Sequence, residues 1–177
     1  MKRTLIIFLM LLAMAFPALS QAAGEGGERI LDYAGTARVE EDASLVVTEL
    51  VTVTIEHKAI IHGIYRIYPV KIRENGDVLR HYGFEVLSAK LDGKDTPYAV
   101  TEEGYTAGVA MGDPESKAPR GSHTYELTYR TTGHVRFLPA RDEIYYNVTG
   151  NFWKFPIDHV RSGGKRRGVP DDRPLLP

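Results

Sequence analysis

The sequence of 177 residues contains no cysteine. This absence excludes disulfide bonds, thiol nucleophiles and zinc sites built from thiolates, and it leaves six histidines as the strong nitrogen ligands. Those histidines are scattered singly or, as with His57 and His62, stand five residues apart, and neither pattern predicts a metal site. We therefore expect a domain held together by its hydrophobic core, without a metal ion or another cofactor.

The sequence also lacks the motifs of common enzyme classes. It contains no Gly-x-Ser-x-Gly elbow, no phosphate-binding loop and no His-Glu-x-x-His helix. Asp142 and Glu143 have the residue types of an acid and base pair. Neighbouring residues of a strand point to opposite faces, however, so these two carboxylates do not converge on one bond. We predict that the protein is not an enzyme.

Long apolar runs are absent except at the N-terminus. Lys2 and Arg3 precede an apolar run over residues 5–16, and small residues follow it up to Ala23. This pattern predicts a cleaved signal peptide over residues 1–23, because the run is shorter than the ~20 residues that cross a bilayer. An uncleaved anchor is the alternative. We predict an exported protein, periplasmic or extracellular, with no transmembrane span beyond the signal segment.

An excess of positive charge is missing as well. The net charge is −1, and between the signal peptide and residue 161 the chain has 15 basic against 21 acidic residues. Such a body repels nucleic acid phosphates and anionic membrane surfaces, so we expect neither of these as its partner. The basic cluster at residues 165–167 is typical of a solvated tail.

No window between residues 30 and 157 has the 3.6-residue period of a helix; apolar residues alternate instead. The pattern predicts strands within 30–39 and over 45–55, 64–70, 82–91, 97–101, 105–111, 124–132 and 135–138. Eight or so antiparallel strands with one apolar face each predict an all-β fold, an immunoglobulin-like β-sandwich, with a closed barrel as the runner-up. Glu49 interrupts an apolar face, which places it near a sheet end or bulge or beside a buried partner.

The chain is organised around residues 142–157, which hold the single tryptophan. Ile144, Tyr146 and Val148 share one face of an extended segment, so we expect them in the core. Asn147 is disfavoured within a strand, and we interpret its amide as a tie to neighbouring backbone. Gly150 then breaks the strand, and we expect Trp153 to return to the core.

Residues 142–150, Asp-Glu-Ile-Tyr-Tyr-Asn-Val-Thr-Gly, with a tryptophan three residues later, resemble a signature of predicted bacterial membrane proteins that carry domain of unknown function 2207. Residues 62–69 and 42–49 resemble two further segments of that family. The resemblance covers residues 30–157 and implies the exported N-terminal domain of a membrane-anchored protein without an assigned activity. We assign seven residues to its structural signature: Arg66, Asp142, Glu143, Tyr146, Asn147, Gly150 and Trp153.

Arg66 allows two interpretations. It is an ordinary outward-facing strand residue, or it forms a structural ion pair with Asp142 or Glu143. The resemblance alone does not decide between them.

The C-terminal residues 160–177 have neither a strand nor a helix period and are rich in Gly, Pro and charge. We therefore predict a β-domain over residues 28–159 and an unstructured tail over 160–177. Related chains continue into membrane spans, which suggests a truncated or frameshifted member. A native module with a short natural tail is the alternative.

Two function classes remain. The first is a non-catalytic extracytoplasmic structural or interaction module that contacts an envelope protein or glycan. The second is a secreted carbohydrate-binding module, suggested by ten tyrosines and one tryptophan whose rings could stack on sugars. Exposure separates the two. Because Tyr33, Tyr125, Tyr129 and Tyr146 share apolar faces, we expect them to be buried, which favours the first class.

Overall fold

A computed structural model of the chain describes residues 27–74, 78–140 and 142–166. All regular secondary structure in these ranges is β-strand, so the predicted all-β class is confirmed. The strands are β1 (Ile30–Val39), β2 (Leu45–Ile55), β3 (Ile64–Pro69), β4 (Lys71–Glu74), β5 (Val78–His81), β6 (Phe84–Leu91), β7 (Lys94–Asp95), β8 (Tyr98–Glu103), β9 (Thr106–Met111), β10 (Gly121–Thr131), β11 (Val135–Phe137), β12 (Asp142–Ile144) and β13 (Val160–Arg166). The predicted signal peptide, residues 1–23, and residues 167–177 of the predicted tail lie outside the described residues.

The larger sheet has six strands in the order β13-β1-β2-β10-β6-β7. Its centre is the pair of long strands β2 and β10, which run antiparallel without a register shift. Alternation explains their placement, because Val47, Val51 and Val53 are buried on one face. On the other face threonine hydroxyls pair across the two strands, Thr48 with Thr128 at 3.0 Å and Thr52 with Thr124 at 2.9 Å.

A smaller sheet, in the order β3-β9-β8, faces the larger one across the core. The ring of Tyr68 on β3 lies 4.8 Å from the ring of Tyr129 on β10, centroid to centroid. Val109 and Met111 of β9 are buried with them. The arrangement is a sandwich whose strands pair antiparallel except for β13, as the alternation predicted for the strands that it covers; the immunoglobulin-like assignment stays a prediction.

The hairpin of β11 and β12 is followed by irregular chain over residues 145–159, apart from an isolated bridge at Ile157. The extended segment predicted through Val148 therefore ends at Ile144. The core placement predicted for that face is wrong for Ile144, which is exposed, whereas Tyr146 and Val148 pack half-buried against the core. The physical reason is a turn that starts at Asn147 and passes through left-handed backbone at Gly150 and Phe152.

Strand β13 contradicts the prediction that the ordered domain ends near His159. Residues 160–166 pair in parallel with β1, from Val160 opposite Tyr33 to Arg166 opposite Val39. A backbone ladder needs no side-chain pattern, so a segment with Gly163 and Gly164 can form one. The prediction of an unstructured tail is wrong for these seven residues.

The first described residues are fixed to the sandwich by a carboxylate. Glu28 accepts hydrogen bonds from the backbone N–H groups of Glu56, Ala59 and Ile60, at 2.9, 2.5 and 2.8 Å. The chain therefore enters β1 in a defined position beside the connection from β2 to β3. Within the described ranges, no helix is long and apolar enough to cross a membrane.

Candidate functional site

The centre of the sandwich holds an ion pair. Glu49 lies in the middle of β2 and Arg66 in the middle of β3, and the side chain of each is 1% exposed. The Nε atom of Arg66 donates to Oε2 of Glu49 at 2.8 Å, and its Nη2 atom donates to Oε1 at 3.0 Å. This is the bidentate geometry that guanidinium and carboxylate groups favour. The pair joins the two sheets.

Glu49 is neither at a sheet end nor at a bulge. It stands opposite Gly35 on β1 and Leu127 on β10 in continuous ladders. The alternative of a buried partner is the one that the structure shows.

The outward-facing interpretation of Arg66 is wrong, and the structural ion pair is present with a different partner from those predicted. Its side chain points into the core, together with those of Ile64 and Tyr68 on alternate positions of β3. Its ionic partner is Glu49, whereas Asp142 and Glu143 lie on the hairpin of β11 and β12, where Glu143 stands opposite Arg136. The available signal was a pair of opposite charges, each on the apolar face of a predicted strand, because such charges need each other.

Tyrosine hydroxyls complete the coordination of Glu49. Tyr68 donates to Oε2 at 3.0 Å and Tyr129 donates to Oε1 at 2.8 Å, so the carboxylate accepts four hydrogen bonds. The hydroxyl of Tyr146 in turn bonds that of Tyr129. Burial, reinforced by the negative charge of Glu49, raises the pKa of both Tyr68 and Tyr129, so these hydroxyls remain donors.

The cluster stays charged in the core. Burial disfavours the guanidinium charge, but the carboxylate of Glu49 outweighs this effect and raises the pKa of Arg66. All four lone-pair positions of the Glu49 carboxylate accept hydrogen bonds from the protein, so no position is left on it for a ligand. In the described ranges, moreover, no group of three or more His, Asp or Glu residues is placed to hold a metal ion.

Arg66 also fixes the irregular segment after the hairpin, residues 145–153. Its Nη2 atom donates to the carbonyl oxygen of Thr149 at 2.9 Å, and the same oxygen accepts a hydrogen bond from the indole N–H of Trp153 at 2.9 Å. The indole ring lies 4.8 Å from the guanidinium carbon, within cation–π range. Tyr33 adds a third tie, since its hydroxyl donates to the carbonyl oxygen of Val148 at 2.7 Å.

Gly150 lies directly against the guanidinium group. Its φ is 67°, and a Cβ atom at this position would stand 2.5 Å from both terminal nitrogens of Arg66. A residue without a side chain is therefore required there for two reasons, backbone conformation and space. This gives the predicted signature residue Gly150 a physical role.

Neither Trp153 nor Asn147 is fully buried in the core. Trp153 is half-buried, packing edge-on against Tyr33 with ring centroids 6.3 Å apart, so its predicted place in the core is only partly realised. Asn147 is exposed, and its Oδ1 accepts the N–H of Gly150 at 3.1 Å. Of the seven signature residues, the structure brings Arg66, Tyr146, Gly150 and Trp153 together, and Asp142 and Glu143 remain on the hairpin.

His134, which sequence reasoning did not single out, attaches the hairpin of β11 and β12 to the body. Its Nε2 is 3.0 Å from Oγ1 of Thr131, and its Nδ1 is 3.0 Å from the carbonyl oxygen of Tyr145. The ring lies between Tyr82 and Tyr146, tilted against the first and edge-on to the second, at centroid distances of 4.7 and 5.3 Å. Burial lowers the pKa of His134, so the neutral ring is favoured, with Nδ1 donating to Tyr145 and Nε2 accepting from Thr131.

The segment held in this way and the hairpin before it present aromatic rings to solvent. Tyr145 is 73% exposed, Phe137 72% and Phe152 61%, the highest values among the large apolar side chains of the described residues. Ile144 and Leu138 are exposed beside them in sequence. Sequence reasoning missed this surface, because alternation assigned the segment to a strand with one face in the core. We call Phe137, Leu138, Ile144, Tyr145 and Phe152 the aromatic surface.

Comparison with known proteins identifies the family. Residues 29–162 match the model of the N-terminal domain of a predicted membrane protein family, DUF2207. The chain belongs to this family. The resemblance that the sequence motifs indicated is thereby confirmed.

Individual relatives of this DUF2207 domain are distant. An uncharacterized protein of Escherichia coli strain K12, YciQ, is 25% identical over 138 residues, which are 77% of this chain and 21% of that protein. The chain thus spans about a fifth of the length of this relative.

Solved structures are similar only at a low level. Leukotriene A4 hydrolase from Saccharomyces cerevisiae has a TM-score of 0.41 at 9% identity, covering 58% of this chain and 15% of the hydrolase. The M1 zinc metallopeptidase from Deinococcus radiodurans has a TM-score of 0.36 at 15% identity, covering 66% of this chain and 23% of the peptidase.

Proposed function

We propose that this domain is a non-catalytic, extracytoplasmic interaction module of a membrane protein, and that it holds the aromatic surface against a partner in the cell envelope. The observation that carries the proposal is the connection between the buried ion pair and that surface. Arg66 reaches from the centre of the core to the carbonyl oxygen of Thr149, in the middle of the segment that bears Tyr145 and Phe152.

Energetics supports a positioning role for the ion pair. Replacing a buried ion pair by well-packed apolar residues is often neutral or stabilising, so stability alone gives little reason to keep charges in a core. A guanidinium group, however, has donors left for a third group after it has bound a carboxylate. Here the third group is the backbone of the exposed segment.

The signal-peptide pattern at residues 1–23 supports export, and the family description supports attachment to a membrane protein. The carbohydrate-binding alternative has less support. Tyr33, Tyr125 and Tyr129 are buried. The described chain also has exposed rings, but none of them pairs with another ring, and every ring pair involves buried or half-buried rings; the exposed rings are Tyr65, Tyr98, Tyr105, Phe137, Tyr145 and Phe152. A sugar platform would need two or three neighbouring rings in solvent.

Site-specific photo-crosslinking in cells tests the proposal. A photoreactive amino acid replaces Tyr145 in one chain and Lys94 in a control chain, where Lys94 is an exposed residue of the β6–β7 hairpin. We expect an adduct with an envelope component from position 145 and none from position 94, and we expect protease added to spheroplasts to reach the domain. Equal adducts from both positions, no adduct at all, or a protected cytoplasmic chain would each contradict the proposal.

A further inference from the structure

Strand β8 forms an open edge of the smaller sheet. Within the described chain it pairs with β9 alone, in a continuous register from Tyr98 opposite Met111 to Glu103 opposite Thr106. All six of its residues are exposed. Natural edge strands are commonly blunted by a lysine, a proline or a bulge within the strand, and β8 has none of these. Its backbone is therefore open to pairing with a further strand.

The backbone of β8 shows which groups face the open edge. The carbonyl oxygen of Pro97, directly before β8, accepts a hydrogen bond from the N–H of Gly112, directly after β9, at 2.9 Å. In an antiparallel pair, residues alternate between those that bond the neighbouring strand and those whose N–H and C=O groups point away from it. Counting from Pro97, the residues that point away from β9 are Tyr98, Val100 and Glu102.

The same residues carry their side chains on the core-facing side of the smaller sheet. Tyr98 stands opposite Met111 and Val100 opposite Val109, and Met111 and Val109 are buried in the core. Tyr98 and Val100 are nevertheless 44% and 43% exposed. The apolar inner face of the smaller sheet therefore extends onto β8, beyond the part that the larger sheet covers.

We propose that β8 pairs with β8 of a second copy of this chain, antiparallel and about a two-fold axis at Val100. This register places Val100 opposite Val100 of the second copy and Tyr98 opposite its Glu102. The residues whose backbone groups face the edge then bond to the same residues of the second copy, and their side chains share one face. The two smaller sheets become one continuous sheet of six strands.

The charges of β8 favour this antiparallel register. The strand carries two glutamates and no basic residue, so an in-register parallel copy would bring like charges together. In the antiparallel register Glu102 and its copy lie four residues apart along the strands, about 13 Å, which is beyond the screening length at physiological salt. An axis at Glu102 would instead place the two carboxylates opposite each other. Because β8 fits its own copy in backbone direction, apolar face and charge, we infer a second copy and not a foreign strand.

Mass measurements of charge variants test this pairing. The mass of the full chain in solution is followed across concentrations by sedimentation equilibrium, and we expect a reversible dimer. Val100→Lys and Val100→Glu should each raise its dissociation constant about tenfold or more, because like charges meet at the axis. An equimolar mixture of the two variants should restore dimers. Any association through the N-terminal apolar run is common to all variants.

Val160→Lys is the matched control for the charge variants. Val160 is an exposed valine on β13, an edge strand of the larger sheet within the described chain. This substitution should leave the dimer unchanged.

The absence of cysteine allows a second measurement. Val100→Cys places a thiol opposite its copy at a Cα separation of about 5.5 Å, which suits a disulfide. Thr101→Cys is the control on the same strand, because its side chain lies on the other face and opposite Ala99 of the second copy. Mild oxidation should link the first variant into dimers and the second far less.

A monomer at every concentration would overturn the inference and leave the edge of β8 to a strand of another protein. Dimers that persist in Val100→Lys and are lost in Val160→Lys would place the contact at β13. Equal disulfide yields at positions 100 and 101, or charge variants with unaltered melting curves that stay monomeric when mixed, would refute the axis at Val100. If a charge variant fails to fold, the disulfide yields decide.

Discussion

At the residue scale, the close approach of Gly150 to Arg66 links the exposed segment to the ion pair. The guanidinium group occupies the space where any other residue would place its Cβ atom. The position therefore couples the exposed segment to the core without a side chain of its own. Gly93, in the β6–β7 turn, has a similar φ of 77° but no atom within 4 Å of the Cβ position, so it provides a natural control.

We predict that Gly150→Ala destabilises the protein more than Gly93→Ala. The strained backbone costs about 1–2 kcal/mol in both variants, and the overlap with Arg66 adds about 1–3 kcal/mol in the first one alone. Urea unfolding of the two variants beside the unaltered protein measures the difference. Equal losses of unfolding free energy would show that Arg66 moves aside without cost.

The ion pair makes the second prediction at this scale. Arg66→Met leaves the Glu49 carboxylate buried without its cation and should lower the unfolding free energy by about 3–5 kcal/mol. Glu49→Leu should be similarly harmful, because the buried guanidinium group loses its counter-charge and two tyrosine hydroxyls lose the carboxylate that accepts from them. The double variant should recover much of the loss, with a large coupling energy in a double-mutant cycle.

Asp142→Ala is the matched control for this cycle, because Asp142 is an exposed carboxylate of the β11–β12 hairpin. Its effect should add to that of Arg66→Met without coupling. Coupling between Arg66 and Asp142, with none between Arg66 and Glu49, would contradict the observed pairing.

At the element scale, the hairpin of β11 and β12 depends on His134. A two-stranded hairpin is marginally stable in water, and this one is tied to the body through Thr131, His134 and the backbone of Tyr145. The neutral imidazole serves both ties at once. Protonation would turn Nε2 into a second donor and place a charge between two aromatic rings in a half-buried site.

We predict that acid weakens this attachment. The folded-state pKa of His134 lies below its ordinary value of 6.5, so its stabilisation is complete above pH 6.5 and is lost as the pH falls through the folded-state pKa. In this window the unfolding free energy of the unaltered protein should fall with pH more steeply than that of His134→Asn. Thr131→Val removes the donor to Nε2 of the neutral ring but leaves the buried imidazole, so it should lower stability and reduce the slope less than His134→Asn does. Identical slopes for the unaltered protein and His134→Asn would refute the prediction.

The elements also show which structure a sequence can predict. Strands β1, β2 and β10 were predictable because each buries alternate residues on one face. Strand β13 was not, because its pairing with β1 is carried by the backbone and includes two glycines. For the segment after Ile144 the pattern gave a wrong prediction. Its residues alternate as in a strand, but the turn at Asn147 and the left-handed backbone at Gly150 and Phe152 fold it against the core.

At the scale of the whole molecule, the ion pair lies where the two sheets and the exposed segment meet. The signature residues Arg66, Tyr146, Gly150 and Trp153 could be selected from sequence as a resemblance to a family. Their arrangement could not, because it depends on which strand of one sheet faces which strand of the other. Glu49, the residue that completes the site, looked like an interruption of a strand until its partner across the core was known.

The final prediction concerns the separate unfolding of the exposed segment, residues 145–153, and the two sheets. The single tryptophan, Trp153, lies over Arg66 and reports on the segment, whereas far-UV circular dichroism reports on the sheets. In the unaltered protein both signals should change together with urea, as expected for one cooperative domain. In the double variant Arg66→Met with Glu49→Leu, the apolar core should keep the sheets together, but Thr149 loses its guanidinium donor and Trp153 its cation. We expect the fluorescence transition to move to lower urea while the circular dichroism transition stays closer to that of the unaltered protein. If the two transitions still coincide, the bond from Tyr33 to Val148 is sufficient to hold the segment, and the ion pair has no special part in presenting the aromatic surface.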